Sequence, residues 1–461
     1  MLCALLMLTA CSEEMVTLSE NEKTQADAVI FSAYLNRATD AAGSRAGQVG
    51  VIGNDALKLS ADGFGVFAFM GNDDWLYESG TQQPDFMFNQ QVVWTPVPPS
   101  SGAWTYTPLK YWPNETGSNA VSDNTDRLTF FAYAPYVAAN PETGQLTTVY
   151  TGEQRTTGIT AMSGHHHRGD PWVQYVVSYD AGNQVDLCWA NVDGNTLNQT
   201  KRAIDDPVLF NFHHALSAIN IQIDAVTDAF SPATSEGLHG NTRIYMRSVT
   251  FEGFAASGAL NLFNRVAGTP RWIGNHGQGL VAMDEVTVHD GRRDRHEGSG
   301  ANANEWPTGL NGALVQSGPY TVYGSTITST TPGVTTTAVN LFTPPAATGT
   351  EEERLKKQLE APLYVIPNGQ PLRITVAYDV ETYDPQLKYQ RLSDDQTFGS
   401  SVPNVISSWV RTGGDNLVIE AGKQYTIRLH LGMTSVKVDV VSVKAWEEGV
   451  TVDVEIPETT P

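Results

Sequence analysis

The chain has 461 residues, enough for two to four domains of about 100 to 200 residues each. Hydrophobic residues make up 41% and charged residues only 17%, so Thr, Ser, Asn and Gly fill much of the rest, as in exported β-sheet proteins. The formal charge of −22 repels phosphate backbones and excludes nucleic acid as an expected partner.

Residues 2–10 form an apolar segment of the length of a signal-peptide core, and Cys11 follows it directly. The ending Leu8-Thr9-Ala10-Cys11 resembles the lipobox of bacterial lipoproteins, whose cysteine thiol carries the membrane-anchoring lipid. Because no Lys or Arg precedes the apolar segment, we interpret residues 1–10 as a truncated signal peptide. The alternative is an ordinary signal peptide with a chance cysteine. Residues 11–27 are polar and acidic, which predicts a lipidated tether.

The first half of the remaining chain predicts strands separated by polar loops. A β-rich run over 28–35 is followed by a loop over 36–50 that contains Arg37 and Arg45. Further strands are predicted at 63–70, 92–95, 128–134, 173–178 and 185–190. The single cysteine of this body, Cys188, lies in an alternating strand, which indicates a buried and unreactive thiol and no disulfide.

A polar break at 193–206 predicts a boundary between an N-terminal domain, 28–205, and a C-terminal domain, 206–461. Strands of the second half are predicted at 208–212, 218–223, 243–251, 363–366, 372–380, 424–431, 436–443 and 450–456. Residues 351–359 carry the one helical signal. The regular spacing of strands and turns favours β-sandwiches over alternating strand–helix units.

No catalytic motif is found, so we expect neither an enzyme nor a cofactor. The phosphate-binding and dinucleotide-binding glycine patterns and the strand-to-helix nucleophile turn are all missing. The cluster His165-His166-His167, with Arg168 and Asp170, favours a solvated loop over a metal site, because zinc ligands are normally spaced so that they converge. No metal site is therefore predicted.

Several segments, in their order along the chain, resemble the fimbrillin-like (Mfa-like) surface lipoproteins related to type V pilus subunits. They are Trp104 to Pro113, Leu128 to Pro135, Val185 to Leu187, Phe210 to Ile219, Pro362 to Pro367, and Ala421 to Leu429 followed by Trp446. The resemblance implies an all-β protein with two tandem β-sandwich domains of the fimbrillin type, transthyretin-like with Greek-key connections.

The resemblance also implies a cell-surface fimbria assembled by strand exchange. In such proteins an arginine-specific protease removes the first strand, and a strand from another subunit fills the groove. Here the resemblance points to 29–35 as the removable strand, Arg37 or Arg45 as the cut site, and Val450, Val452, Val454 and Ile456 as the donor. Ordinary loop arginines and a terminal strand paired within its own domain are the alternatives.

The implied location is the outer membrane surface, with attachment through lipid and a role in adhesion. The implied partners are other fimbrial subunits, the outer membrane, and a glycan or protein on a host or bacterial surface. A rival interpretation is a glycan-binding surface lipoprotein that does not polymerise. Its candidate stacking residues are Trp75, Tyr77, Trp94 and Trp409, each of which also fits a role as core filler.

Overall fold

The structure is a computed structural model. It describes residues 27–35, 57–58, 60–78, 81–97, 101–113, 125–146, 157–177, 185–190, 192–203, 206–225, 242–265, 269–273, 286–290, 326–327, 339–340, 362–382, 388–390, 396–398, 400–431, 436–445 and 451–452. Cys11, most of the tether, Arg37, Arg45, the predicted helical turn at 351–359, Val450, Val454 and Ile456 lie outside these residues.

The regular structure of the described residues is almost entirely strand, which confirms the predicted all-β class. The first half contains β1 (Phe31–Leu35), β2 (Phe64–Asn72), β3 (Met87–Val97), β4 (Ser101–Thr105), β5 (Asp126–Ala134), β6 (Gly158–Met162), β7 (Trp172–Val176), β8 (Cys188–Ala190) and β9 (Val208–His214). Seven of these strands close into a barrel in the order β1-β4-β3-β2-β5-β8-β9.

Strands β2 and β5 of the barrel bury both of their faces. On β2, Val66 and Ala68 point into the barrel, whereas Phe67 and Phe69 belong to a second cluster outside it. We call these two clusters the barrel core and the shared core. Because alternate side chains of a strand point to opposite faces, burial on both faces requires an almost continuous apolar run, and β2 has one.

The second half forms two main sheets. Its strands are β10 (Ser217–Ala225), β11 (Thr242–Glu252), β12 (Phe254–Ala255), β13 (Ser257–Asn261), β14 (Arg271–Ile273), β15 (Val286–Asp290), β16 (Thr326–Ile327), β17 (Val339–Asn340), β18 (Leu363–Pro367), β19 (Arg373–Thr382), β20 (Lys388–Gln390), β21 (Gln396–Phe398), β22 (Ser400–Trp409), β23 (Arg411–Thr412), β24 (Asp415–Asn416), β25 (Lys423–Leu431), β26 (Val436–Ala445) and β27 (Thr451–Val452). One sheet runs β12-β18-β10-β25-β26-β27, and the other runs β15-β11-β19-β22.

The two main sheets of the second half share one apolar core. On β25, Tyr425, Ile427 and Leu429 are buried at every second position, and Ile374 and Val376 of β19 alternate in the same way. All five belong to the shared core. Two sheets with one apolar face each, joined by a common core, fit the predicted sandwich.

A small connecting sheet joins the two halves of the chain. Its order is β14-β13-β7-β6, so β7 of the first half pairs with β13 of the second. The shared core is likewise built from both halves, since Phe131 of β5 and Ile427 of β25 both belong to it. Continuous packing of this kind couples the halves more strongly than a polar interface would.

The predicted boundary between residues 205 and 206 differs from the strand arrangement at one point. The sequence assigned residues 208–212 to the C-terminal domain, but β9 pairs with β1 and β8 and so completes the first barrel. The change of sheet falls between β9 and β10, where Ala215 and Leu216 connect them. Barrel closure is a long-range property, and the polar break gave no sign of it.

Most predicted strands are found within a few residues of their predicted bounds. The strands that the sequence did not indicate include β4, β6 and β22. Within the described part of the chain, no helix is both long and apolar enough to cross a membrane.

Candidate functional site

Strand β1 completes the barrel by lying between β4 and β9. It pairs in parallel with β9 through five residue pairs, from Phe31 opposite Val208 to Leu35 opposite Phe212. On its other side, Phe31 lies opposite Trp104 of β4. We call the space between β4 and β9 that β1 occupies the β1 slot. Without β1, β4 and β9 would each present an unpaired edge.

The inward face of β1 and its N-terminal extension fill part of the barrel core. Val29 is fully buried, Phe31 is 5% exposed and Leu35 is 1% exposed. Tyr34, on the opposite face, is 44% exposed. This alternation is that of a strand with one buried and one solvated face.

Phe31 is the central contact of the β1 slot. Its ring centroid lies 5.7 Å from that of Phe130 in an edge-on arrangement, 5.3 Å from that of Tyr106 and 5.4 Å from that of Phe210. Aromatic pairs at such spacings add about 0.5–1.5 kcal/mol beyond the burial of their surface. The side chain that anchors β1 is therefore also one that the barrel core needs.

The backbone just before β1 is fixed by hydrogen bonds to the segment after β4. The Val29 N–H donates to Lys110 O at 2.9 Å, and the Trp112 N–H donates to Asp27 O at the same distance. The Tyr106 hydroxyl donates to Val29 O at 2.7 Å. Burial raises the pKa of Tyr106 to about 12, so the phenol keeps the proton that it donates.

One ion pair supports the same segment from another direction. Lys201 Nζ lies 2.7 Å from Asp27 Oδ1, and the Lys201 side chain is only 6% exposed. A lysine this buried requires a partner for its charge. The sequence alone did not single out Lys201 or Asp27, because nothing local indicates that residues so far apart meet.

The predicted donor segment is described at two positions. Thr451 and Val452 form β27, which pairs antiparallel with β26 at Lys444 and Val443. The short ladder places this part of the segment at the edge of its own sheet, as the alternative interpretation of the sequence expected. The donor role remains a prediction.

Strand β22 forms the outer edge of its sheet among the described strands, since β19 is its one neighbour there. It exposes three large hydrophobic side chains: Val402 is 54% exposed, Val405 is 67% exposed and Trp409 is 42% exposed. The Arg373 guanidinium lies over the Trp409 ring, 5.7 Å from its centroid. Pro403 removes one backbone donor, as is typical of edge strands.

The aromatic residues proposed for glycan stacking differ in exposure. Trp75 is 51% exposed, but Tyr77 is buried and its hydroxyl donates to Asp170 Oδ1 at 3.1 Å. Trp94 is half-buried, packs edge-on against Trp104 and carries Lys58 Nζ 4.9 Å from its ring centroid. Tyr77 is thus a core residue, while Trp75 and Trp409 keep accessible rings.

A buried polar cluster lies where β8 and β9 meet. His214 Nδ1 is 2.8 Å from Asp186 Oδ2, and the Cys188 thiol lies 3.6 Å from the same ring nitrogen. A nucleophilic cysteine would need its histidine to face the thiol with one nitrogen and the carboxylate with the other. Here both face Nδ1 and all three residues are buried, which confirms the predicted burial of Cys188, while its lack of reactivity remains a prediction.

The histidine cluster lies in a loop between β6 and β7 and meets a second loop. His165 Nε2 is 3.7 Å from Glu142 Oε1, and His166 Nε2 is 3.2 Å from Glu142 Oε2. His167 faces Asp170, with its Nε2 3.2 Å from the backbone oxygen. Glu142 is far from the histidines in sequence, so residue spacing gave no signal of this encounter.

Comparison with known proteins identifies the family of this chain. The family model described as fimbrillin-like matches residues 51–287. The chain is 29% identical over 228 residues to fimbrium subunit Fim1C of Phocaeicola vulgatus, a match that covers 48% of this chain and 50% of that protein. The chain therefore matches about half the length of this curated relative.

The fold comparison agrees with the sequence match. A crystal structure of a fimbrial protein from Bacteroides vulgatus superposes with a TM-score of 0.51 at 19% identity, covering 91% of this chain and 99% of that one. Similarity at this identity establishes a common fold. This chain belongs to the fimbrillin-like family.

Proposed function

We propose that this protein is a fimbrial subunit, exported as a lipoprotein and assembled by exchange of strand β1. The observation that carries the proposal is that β1 closes the barrel as a separate insert, paired with β9 in parallel and with β4 at Phe31. A barrel closed by its first strand can lose that strand without a break in any other connection of the fold. The proposed role of the assembled fimbria is adhesion.

Loss of β1 would open an apolar groove. The groove would be lined by Trp104, Tyr106, Phe130 and Phe210, which now contact Phe31 or lie opposite it. The open edges of β4 and β9 would offer backbone donors and acceptors beside it. Strand addition uses this combination of a main-chain ladder and pockets for alternate side chains.

The proposed donor has the pattern that the groove needs. The β1 segment places Val29, Phe31, Ala33 and Leu35 on one face, and the C-terminal segment has apolar residues at 450, 452, 454 and 456. Both have four apolar positions at every second residue, which is the period of one strand face. A donor of this pattern completes the barrel core in the neighbouring subunit.

Release of β1 is assigned to cleavage after Arg37 or Arg45, which follow β1 in the sequence. Lipid on Cys11 would deliver the chain to the outer membrane and leave with β1 after the cut. A subunit that keeps β1 would keep its lipid and stay anchored. Retention of lipid therefore separates an anchoring role from a role in the shaft.

Cleavage with an arginine-specific protease tests the proposal. The purified chain, R37K, R45K and V454D are digested and run without heating or reduction. We expect the unaltered chain to give one early cut and a ladder of polymers. The cut should be abolished in either R37K or R45K, because lysine keeps the positive charge but is not cleaved by an arginine-specific protease. V454D should be cut normally and give no ladder. Complete cleavage that leaves only monomers would exclude assembly by strand exchange.

A second candidate function is glycan binding without polymerisation, which the exposed rings of Trp75 and Trp409 favour. Uncut protein is applied to a glycan array alongside W75A and W409A. Binding that is lost in either variant, together with failure to polymerise, would favour this function. Polymerisation without glycan binding would favour the fimbrial subunit.

A further inference from the structure

Two loops bring three metal-ligand side chains together. Glu142 comes from the turn that follows β5, and His165 and His166 come from the loop between β6 and β7. One potential ligand atom from each residue lies within 4.8 Å of the others. The two imidazole rings lie against each other, with centroids 3.7 Å apart and planes tilted by 44°.

A backbone contact sets the hydrogen position on His165. Its Nδ1 lies 2.8 Å from Pro141 O, an oxygen that can only accept, so Nδ1 carries the hydrogen. The lone pair of a neutral ring is then on Nε2, the atom that faces Glu142. Histidines that bind a metal through one ring nitrogen usually donate a hydrogen bond from the other, often to a backbone carbonyl.

The separations fit a small cation. Zinc bonds nitrogen and oxygen at about 2.0–2.2 Å, so two ligands of a tetrahedron lie about 3.3 Å apart. The observed separations are 3.2 Å from Glu142 Oε2 to His166 Nε2 and 3.7 Å from Glu142 Oε1 to His165 Nε2, so a small rearrangement of the exposed carboxylate brings its oxygens to a shared ion. The lone pair of His165 Nε2 and a carboxylate oxygen repel each other at this distance unless a cation or a proton lies between them.

Hydrogen bonds within and between the two loops hold them in place. Glu142 N donates to Asn140 Oδ1 at 2.9 Å, and His165 N donates to Pro141 O at 2.8 Å. Gly144 has a φ of +69° and a Cβ there would lie 1.8 Å from Met162 O, so only glycine lets the loops approach. The three side chains are thus positioned before any ligand arrives.

We propose that Glu142, His165 and His166 form a surface site for one divalent transition-metal ion of the zinc class. Two imidazole nitrogens and one carboxylate group suit Zn²⁺, Co²⁺ and Ni²⁺ better than Ca²⁺ or Mg²⁺, which prefer oxygen alone. Glu142 and His166 are 67% and 66% exposed in their side chains, so water or a donor from another molecule can complete the coordination. His167 is excluded, because it faces Asp170.

Isothermal titration of the tag-free, full mature chain with zinc acetate tests the site. The variants are E142Q, H165Q and H166Q, and H167Q is the matched control from the same loop. Loss of one ligand should weaken zinc binding at least about tenfold, since loss of a group that only supports a ligand already costs about 10–100-fold. H167Q should bind zinc as the unaltered chain does.

Titration with Co²⁺ gives a readout that simple loop damage does not mimic. The visible absorption of bound Co²⁺ depends on its ligands, so E142Q should change the spectrum or remove it while H167Q leaves it unchanged. Titration with calcium chloride should give the same heat for E142Q as for the unaltered chain. The proposal is overturned if zinc binding is absent, if it is unaffected by E142Q and H166Q, or if H167Q loses it equally.

Discussion

Substitution of Phe31 by alanine measures how much the β1 slot contributes to the fold. Phe31 is 5% exposed and its ring contacts Tyr106, Phe130 and Phe210. A buried aromatic side chain removes about 150–250 Å² from water, which at about 25 cal/mol per Å² corresponds to about 4–6 kcal/mol. Because alanine keeps its Cβ and the core closes partly, we expect F31A to lose about 3–5 kcal/mol of unfolding free energy.

Tyr34→Ala is the matched control, since Tyr34 lies on the same strand and is 44% exposed. We expect it to cost less than about 1 kcal/mol. Urea unfolding followed by circular dichroism gives both values from the shift of the midpoint at constant slope. Amide hydrogen exchange of residues 28–35 then shows whether F31A loosens β1 locally. Equal costs for F31A and Y34A would refute the assignment of Phe31 to the barrel core.

Three further outcomes are expected. D186A should lose about 3–5 kcal/mol of unfolding free energy, because it leaves His214 buried without its carboxylate partner. The double variant D186L/H214F replaces both partners by apolar side chains and should recover part of that loss, as measured by chemical unfolding. Burial on folding raises the pKa of Tyr106 to about 12, so the phenol stays neutral in the folded protein below about that pH. Its contribution to stability is complete below the ordinary tyrosine pKa of about 10 and is lost as the pH rises from there through about 12, so Y106F should flatten the alkaline fall in stability seen by calorimetry. C11A should abolish palmitate labelling of cells that produce the chain, and retained label would contradict lipidation at Cys11.

The strands that the sequence predicted best are those with two buried faces. Residues 63–70 and 128–134 are almost wholly apolar, and they became β2 and β5 because one face fills the barrel core and the other the shared core. Apolar residues on both faces can be predicted from composition alone. Which face meets which core cannot, because that depends on strands distant in the chain.

Strand β22 was missed for the opposite reason. Its sequence is mostly Ser, Asn, Val and Pro. Val402, Val405 and Trp409 face solvent while Ile406 packs against the shared core, so neither an apolar run nor a clean alternation marks the strand. It is a strand because it pairs with β19 along its whole length. Pairing with a buried neighbour stabilises a strand whose own residues do not favour one.

The residues of the candidate site could also be predicted only in part from the sequence. Residues 29–35 carried a strand signal of their own, and the structure places them in the barrel. Their anchors Lys201 and Tyr106, and the contact of Glu142 with His165 and His166, join residues far apart in sequence. Local sequence patterns therefore predicted strand β1 but not the distant residues that hold it in place.

The ladder between β7 and β13 and the core common to both halves have a mechanical consequence. Because the first and second halves are joined by backbone pairing and by continuous packing, tension applied at one end of a subunit passes to the other without a compliant hinge between them. A filament of such subunits would be stiff within each subunit. It would bend and yield mainly at the joints between subunits.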